Sequence, residues 1–289
     1  ELIDFQRYVE DIKMGLALSE EALPLIAIIP VEGTLVPGDS EDGMAGSDTI
    51  NGYIDTALEA EDLAAIVLRV NSPGGSVFAS DLIRRKLSEA READIPLVVS
   101  MGSVAASGGY WIAAEADEIW ALPTTLTGSI GAFSAFPTVE GIVEYIGVTV
   151  DGVGTTPLAG AASFNRGLSL EMASIVQALS NGAYEDFIEL VADGRGMSED
   201  AVRSIAEGLV WTGAEAAEIG LVDRLGGLDG AVAAAAALAG VDTWRTGRTR
   251  VPPSFESVLL EELSRSLQVS AVPAGGWFES LVAGFKPVV

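Results

Sequence analysis

Residues 64–101 read AAIVLRVNSPGGSVFASDLIRRKLSEAREADIPLVVSM, and this stretch decides the fold class. It opens with a near-continuous apolar run over 64–70, which is typical of a strand covered on both faces of a sheet. A second apolar run follows at 95–101, and the residues between the runs place an apolar stripe on one face of a helix. The stripe consists of Ala79, Leu82, Ile83, Leu87 and Ala90. The order strand, helix, strand is that of a β-α-β unit, so we predict an α/β fold.

The flanking sequence extends this pattern in both directions. The apolar run 25–31 predicts an earlier strand, and the Gly-, Asp- and Ser-rich sequence after it, through residue 48, predicts a mobile loop. Downstream, a second Gly-rich turn at 102–109 leads into a helical segment at 110–116 and a strand near 118–122. We therefore expect two Gly-rich turns at the carboxyl ends of successive parallel strands.

Helices complete the predicted domain. A long helix is expected over residues 169–193, Ser198 is expected to cap a second helix, and Thr212 with Glu215 forms the capping-box pattern of a third. The residues of the long helix predicted to face inward are Met172, Ile175, Val176, Leu179, Ala183, Phe187 and Val191.

The two ends of the chain differ in character from its centre. We predict a linker helix over residues 1–20, a main domain over 21–244 and an extension over 245–289 that packs on its own core or on a neighbouring subunit. The opening at Glu1 suggests a piece of a longer protein. No window of about 18 uncharged apolar residues occurs, so the sequence predicts a soluble chain without a membrane span.

Charge and composition narrow the function. The 289 residues carry 42 acidic and 16 basic side chains, a net charge of −26, which argues against nucleic acid as a partner. The chain has no histidine and no cysteine, so a Ser-His-Asp triad, a thiol nucleophile and a His- or Cys-ligated metal are excluded within it. Catalysis would use hydroxyls, carboxylates, amines or backbone amides, and we expect neither metal nor cofactor.

The two Gly-rich turns hold the candidate site, because open α/β sheets place their sites at the carboxyl ends of strands. Pro73-Gly74-Gly75 frees backbone N–H groups to bind an oxyanion, although an ordinary turn would also explain it. Ser107 follows a strand and precedes Gly108, so it could be a nucleophile or merely a helix cap. Spacing does not decide between these two roles.

Four motifs carry a family resemblance. Residues 71–77, 101–111, 126–131 and 210–213 read NSPGGSV, MGSVAASGGYW, LTGSIG and VWTG. In this order they closely resemble the signal peptide peptidase A family, and the chain looks like the carboxyl-terminal half of its long, two-repeat form. The resemblance covers about residues 24–240. It implies a Clp protease/crotonase-like fold of repeated β-α-β units and a serine endopeptidase that degrades signal-peptide remnants.

The resemblance also implies the roles of individual residues. Ser107 becomes the nucleophile, and the backbone amides of Gly75 and Gly108 become the oxyanion hole. Gly74, Gly109 and Ser129 are expected to support the site. The family uses a lysine as general base, yet none of the chain's lysines, Lys13, Lys86 and Lys286, stands at a matching position. In the long form this lysine belongs to an upstream repeat, so we expect the chain alone to be inactive or nearly so.

Further expectations follow from the same resemblance. The protein would act on peptide substrates and assemble as a ring-like homo-oligomer, and the longer parent would be membrane-anchored on the extracytoplasmic side. Two alternatives stay open. A crotonase-like acyl-CoA enzyme would keep the Gly-rich turns without needing Ser107, and a non-catalytic assembly module would need no base.

Overall fold

A parallel β-sheet forms the centre of the protein in the computed structural model, which describes residues 23–156, 158–161 and 163–248. The strands are β1 (Leu25–Glu32), β2 (Thr34–Val36), β3 (Met44–Gly46), β4 (Leu63–Ser72), β5 (Leu97–Ala106), β6 (Glu118–Ala121), β7 (Leu126–Gly128), β8 (Val210–Thr212), β9 (Arg224–Leu225) and β10 (Arg245–Arg248). The predicted helix over 1–20 and the rest of the predicted extension over 245–289 lie outside the described residues.

Helices connect and cover these strands. They are α1 (Ser47–Leu58), α2 (Val77–Glu92), α3 (Gly108–Trp111), α4 (Glu140–Tyr145), α5 (Leu170–Arg195), α6 (Glu199–Ile205), α7 (Gly213–Glu218) and α8 (Leu228–Leu238). Among the helices of the described segments, none combines the length and apolarity needed to cross a bilayer.

The main sheet has the strand order β10-β1-β4-β5-β6-β9, and all of these neighbours are parallel. The first half of β5 pairs with β6, whereas its last residues pair with β7, and β7 pairs antiparallel with β8. Helix α2 connects β4 to β5, as the opening stretch of sequence predicts. The predicted α/β fold of repeated β-α-β units is therefore confirmed.

Side chains of β1 show why its sequence is almost entirely apolar. Ile29 and Val31 belong to the larger core cluster on one face of the sheet, with residues of α1 and α2. Ile26 and Ile28 belong to a second cluster on the other face, with residues of α8. Because both faces are covered, all positions of the strand are buried except Pro30, which is half-buried, and the terminal Glu32, which is exposed. Burying a large apolar side chain of this kind contributes about 1.5–3 kcal/mol.

The predicted loop through residue 48 is in part ordered structure. Strands β2 and β3 pair in parallel there, and α1 already begins at Ser47. Leu35 is fully buried and forms a β-bridge with Gly75, far away in sequence. The segment is thus ordered by a tertiary contact that its local composition does not reveal.

The second Gly-rich turn is much shorter than predicted. Strand β5 continues through Gly102 to Ala106 because its last residues pair with β7, with Val104 opposite Leu126 and Ala106 opposite Gly128. Only Ser107 separates the strand from helix α3.

Helix α5 matches its predicted position, but its predicted inward face is wrong in the amino-terminal half. Phe187 and Val191 are buried, as expected, whereas Ile175 is 40% and Leu179 is 68% exposed. Periodicity locates an apolar stripe on a helix but does not show where the surface that covers it ends.

The predicted helix starts are confirmed. Ser198 accepts a hydrogen bond from the Ala201 N–H at the start of α6. Thr212 and Glu215 form the predicted capping box at the start of α7, each side chain accepting from the other's backbone N–H.

Candidate active site

The turns that follow β4 and β5 touch one another at the edge of the sheet. Gly74 has a φ of +99°, and a methyl group at its Cα would lie 2.6 Å from the Gly108 nitrogen and 2.8 Å from Ser107 Cβ. Only a residue without a side chain allows this approach. The predicted supporting residue Gly74 therefore brings the two predicted turns into contact.

Ser107 occupies a strained position between strand and helix. Its backbone has φ 52° and ψ −122°, a conformation that costs a non-glycine residue about 1–3 kcal/mol. The Ser107 N–H donates to the Gly128 carbonyl at 2.9 Å, which extends the pairing of β5 with β7. Its side chain makes no capping hydrogen bond to α3, so the helix-cap interpretation is wrong.

Ser107 is half-buried. Its hydroxyl has no hydrogen-bond partner within residues 23–156, 158–161 and 163–248. Nucleophilic serines of other α/β scaffolds likewise stand in a strained strand-to-helix turn.

Two backbone amides of the contacting turns have no hydrogen-bond acceptor among the described residues. Gly75 lies beside Leu35, whose carbonyl accepts from the Ser76 N–H at 2.8 Å, and in the described part of the chain the Gly75 N–H itself has no acceptor. Gly108 is the first residue of α3, so its N–H has no acceptor within the helix. A methyl group on Gly108 would lie 3.3 Å from the Gly75 nitrogen. The predicted oxyanion amides are therefore neighbours.

Asn71 and Ser72 hold the first turn in place, a role that sequence reasoning missed. The pairing of β4 with β5 is irregular between Val70 and Ser72, and there the Asn71 side-chain oxygen accepts from the N–H groups of Ser103 and Val104, at 3.1 and 3.3 Å. Ser72 Oγ accepts from the Gly74 N–H at 3.1 Å. The sequence signal that could have indicated this role is the change from apolar to polar residues at the end of the strand.

A cleft of about 350 Å³ opens beside Ser107. Its walls are formed by Ser107, Ser129, Gly131, Ala132, Phe133, Tyr184, Glu207 and Gly208. Ser129, predicted to support the site, lies on this wall with a left-handed backbone (φ 50°), and its N–H donates to the Leu209 carbonyl at 2.7 Å. Gly109, the remaining predicted residue, packs against the Ser72 carbonyl and not on the cleft wall.

Comparison with known proteins identifies the family. The sequence pattern of peptidase family S49 matches residues 89–242, more than half of the chain. This chain belongs to peptidase family S49. Membership in a protease family argues against the acyl-CoA alternative.

Individual relatives of this S49 chain agree with the assignment. Protease 4 of Salmonella typhi is 45% identical over 84% of the chain. The protein named "Serine protease SPPA, chloroplastic" of Arabidopsis thaliana is 33% identical over 91% of the chain. The chain spans 39% and 38% of the lengths of these two relatives. A solved ClpP1 mutant from Listeria monocytogenes is similar in structure, with a TM-score of 0.47 and 15% identity over 75% of this chain and 99% of that one.

Lys86 is not placed to act as a base in this S49 family member. Its ammonium group pairs with Asp55 at 2.5 Å and with Glu89 at 2.8 Å. Hydrogen bonds, first to Asp55 and then to Glu89, raise the pKa of Lys86, whereas a general base needs a lowered one. Lys13 and Lys286 lie outside the described residues.

Several residues of the S49 cleft were missed by sequence reasoning. Phe133 follows β7, Tyr184 lies on α5, and Glu207 follows α6, so the cleft wall is assembled from distant parts of the chain. Glu207 and Gly208 are both exposed, and a Glu-Gly pair at this place is typical of the end of a helix. No local sequence pattern therefore indicates that Glu207 is a cleft residue.

Proposed function

We propose that this protein is a serine endopeptidase in which Ser107 is the nucleophile. The observation that carries the proposal is the Ser107 turn, where a strained serine with an unengaged hydroxyl lies beside two unengaged backbone amides. The printed name of the Arabidopsis relative, a serine protease, supports the same chemistry. Backbone strain of this kind clusters at functional sites, so we do not expect it at this position in a non-catalytic module.

The proposed reaction passes through an acyl-enzyme. Ser107 Oγ attacks the carbonyl carbon of the scissile peptide bond while a base removes the hydroxyl proton. The N–H groups of Gly75 and Gly108 donate hydrogen bonds to the resulting oxyanion. The base then passes its proton to the leaving amine as the C–N bond breaks. Water hydrolyses the ester, which releases the second product and restores the serine.

We propose that the base is a lysine supplied by a polypeptide segment outside residues 1–289. The chain has no histidine, and Lys86 is held in ion pairs on the surface of α2. The family resemblance implies a lysine from an upstream repeat. The cleft beside Ser107 and Ser129 is open and could receive such a side chain, whose pKa must fall from about 10.4 toward roughly 7–8 for it to serve as a base.

The proposed substrates are apolar peptides such as signal-peptide remnants, as the family resemblance implies. The rings of Phe133 and Tyr184 in the cleft wall support an apolar specificity. By the same resemblance, the whole protein is anchored to a membrane and faces the extracytoplasmic side.

Labelling with an activity-dependent phosphonate tests this proposal. We expect Ser107 to be labelled rapidly in the full-length protein, because the lysine is then present, and at least about 10³-fold more slowly in residues 1–289 alone. Mass spectrometry of the labelled peptide identifies the serine. Equal labelling rates in both proteins would show that the base lies within this chain. Absence of labelling in the full-length protein would favour the non-catalytic module.

We also propose that the protein self-associates, through an exposed apolar segment between Val139 and Leu179. Most exposed large apolar side chains of the described residues lie in this segment. They are Val139, Ile142, Tyr145, Ile146, Val148, Val150, Val153, Leu158, Phe164, Leu170, Ile175 and Leu179. Exposed apolar surface of this extent is typical of an interface, and the ring-like homo-oligomer implied by the family resemblance would cover it.

Leu179→Glu is expected to weaken this association. Leu179 is 68% exposed on α5, so a carboxylate there should be tolerated in the free subunit but would be desolvated in an interface. In the full-length protein we expect sedimentation to shift to smaller species, with the dissociation constant raised at least tenfold. Leu238→Glu, at a 47% exposed position on α8, is the matched control and should leave the assembly unchanged. An equal effect of both substitutions would contradict this interface.

A further inference from the structure

We propose that Glu207 is a specificity-determining residue, whose carboxylate binds a lysine or arginine side chain of the peptide substrate in the cleft beside Ser107. This inference rests on the proposed peptidase function. It adds a cationic preference to the apolar specificity expected above, and it names the residue responsible.

The first observation is the charge of the cleft. Among the residues that form its wall, Glu207 is the only one with a charged side chain, and the others are small, aromatic or hydroxyl-bearing. No partner pairs with the Glu207 carboxylate within the described ranges 23–156, 158–161 and 163–248. A lone carboxylate beside apolar walls favours a cation in the cleft.

The basic residue that precedes Glu207 in the chain is already engaged. Arg203, on α6, pairs with Glu185 and with Glu199, the latter at 3.1 Å. Its guanidinium also lies over the Tyr184 ring, 6.0 Å from the ring centre. These contacts hold Arg203 on the side of α5 and α6, so it does not neutralise Glu207.

The second observation is the backbone at Glu207. It is left-handed, with φ 56°, although glycine or asparagine would adopt this conformation with less strain. Hydrogen bonds on both sides fix it, since the Gly208 N–H donates to the Ile130 carbonyl at 2.9 Å and the Leu209 N–H donates to the Ala206 carbonyl at 3.1 Å. Because this backbone is fixed, the Glu207 side chain starts from a defined position in the cleft wall.

The cleft also suits the uncharged part of a lysine or arginine side chain. Phe133 and Tyr184 offer aromatic surface to the methylene groups, while the charged end reaches toward the Glu207 carboxylate. Glu207 is exposed, so solvent weakens the pairing. An exposed pair of this kind changes an equilibrium by at most about fivefold.

Matched peptides measure this preference. The full-length protein is assayed with peptides blocked at both ends that differ only by lysine or norleucine at one position near the scissile bond, each position being tested in turn. At the position that enters the cleft, we expect Glu207→Gln to lower the lysine-to-norleucine ratio of kcat/KM about twofold to fivefold. Glu207→Asp should keep part of the preference. Glu218→Gln, an exposed residue of α7 outside the cleft, makes the same change in net charge and should leave the ratio unchanged.

Each other outcome has a definite meaning. An unchanged ratio in Glu207→Gln at every position would overturn the inference, and so would an equal fall in Glu218→Gln, which would indicate a general field of the acidic protein. A uniform shift of the pH-rate profile for both peptides would assign Glu207 to the base and also overturn it. Ser107→Ala is run in parallel: if it still cleaves the peptides, the proposed nucleophile is wrong, whereas the ratio still reports on Glu207.

Discussion

Replacing Ser107 with alanine in the full-length protein is expected to lower peptide hydrolysis roughly 10⁶-fold, because removal of a nucleophile disables the whole catalytic unit. Binding of substrate should change little, since the hydroxyl is small and has no hydrogen-bond partner among the described residues. The fold should persist, and alanine removes no capping bond. Initial rates on a fluorogenic peptide, with phosphonate labelling as a second readout, measure the effect.

Ser103→Ala is the matched control for this experiment. Ser103 lies on the same strand, β5, but its side chain is exposed and does not form the cleft wall. The rate of this variant should stay within about twofold of the wild-type rate. If Ser107→Ala retained most of the activity, the nucleophile would have to be sought elsewhere.

Replacing Gly74 with alanine is expected to lower kcat by about 10² or more. Alanine disfavours the φ of +99°, and its methyl group would lie 2.6 Å from the Gly108 nitrogen and 2.8 Å from the Ala106 oxygen. Both neighbours are backbone atoms, so the turns must move apart and carry Ser107 with them. A displacement of about 1 Å at reacting groups can reduce the rate about 10²-fold.

The control for this variant separates backbone strain from displacement. Gly38 has a similar φ of +86°, but a methyl group there meets nothing within 4 Å. Gly38→Ala should therefore lower the free energy of unfolding by about 1 kcal/mol and leave kcat unchanged. Thermal unfolding and kcat are measured on both variants. A normal kcat in Gly74→Ala would mean that the contact of the two turns does not position Ser107.

The α/β fold could be predicted because its signals are local. A strand that is buried on both faces needs an unbroken apolar run, and a helix that covers a sheet needs an apolar stripe along one face. Both patterns are visible in residues 64–101. The helix starts at Ser198 and Thr212 depend on side chains within three residues, and both were found. Patterns on this scale are determined by neighbours along the chain.

Local sequence patterns did not predict, or predicted only in part, the features that depend on distant parts of the chain. Leu35 orders its segment by bridging to Gly75, and β5 continues because β7 pairs with its end. The exposed amino-terminal half of α5 carries the same apolar stripe as its buried carboxyl-terminal half. The two halves differ only because the core covers one of them and does not reach the other. Composition and periodicity contain no information about such partners.

The candidate site shows the same division. From its sequence alone, this chain is limited to chemistry without histidine or cysteine, and its motifs predict a site at Ser107 and the two Gly-rich turns. Tertiary structure alone shows that Ser107 does not cap its helix and that Gly74 brings the turns together. It also places Glu207 in the wall of the same cleft. The physical reason is that a residue's type and neighbours set its chemistry, whereas its backbone angles and distant contacts set where that chemistry can act.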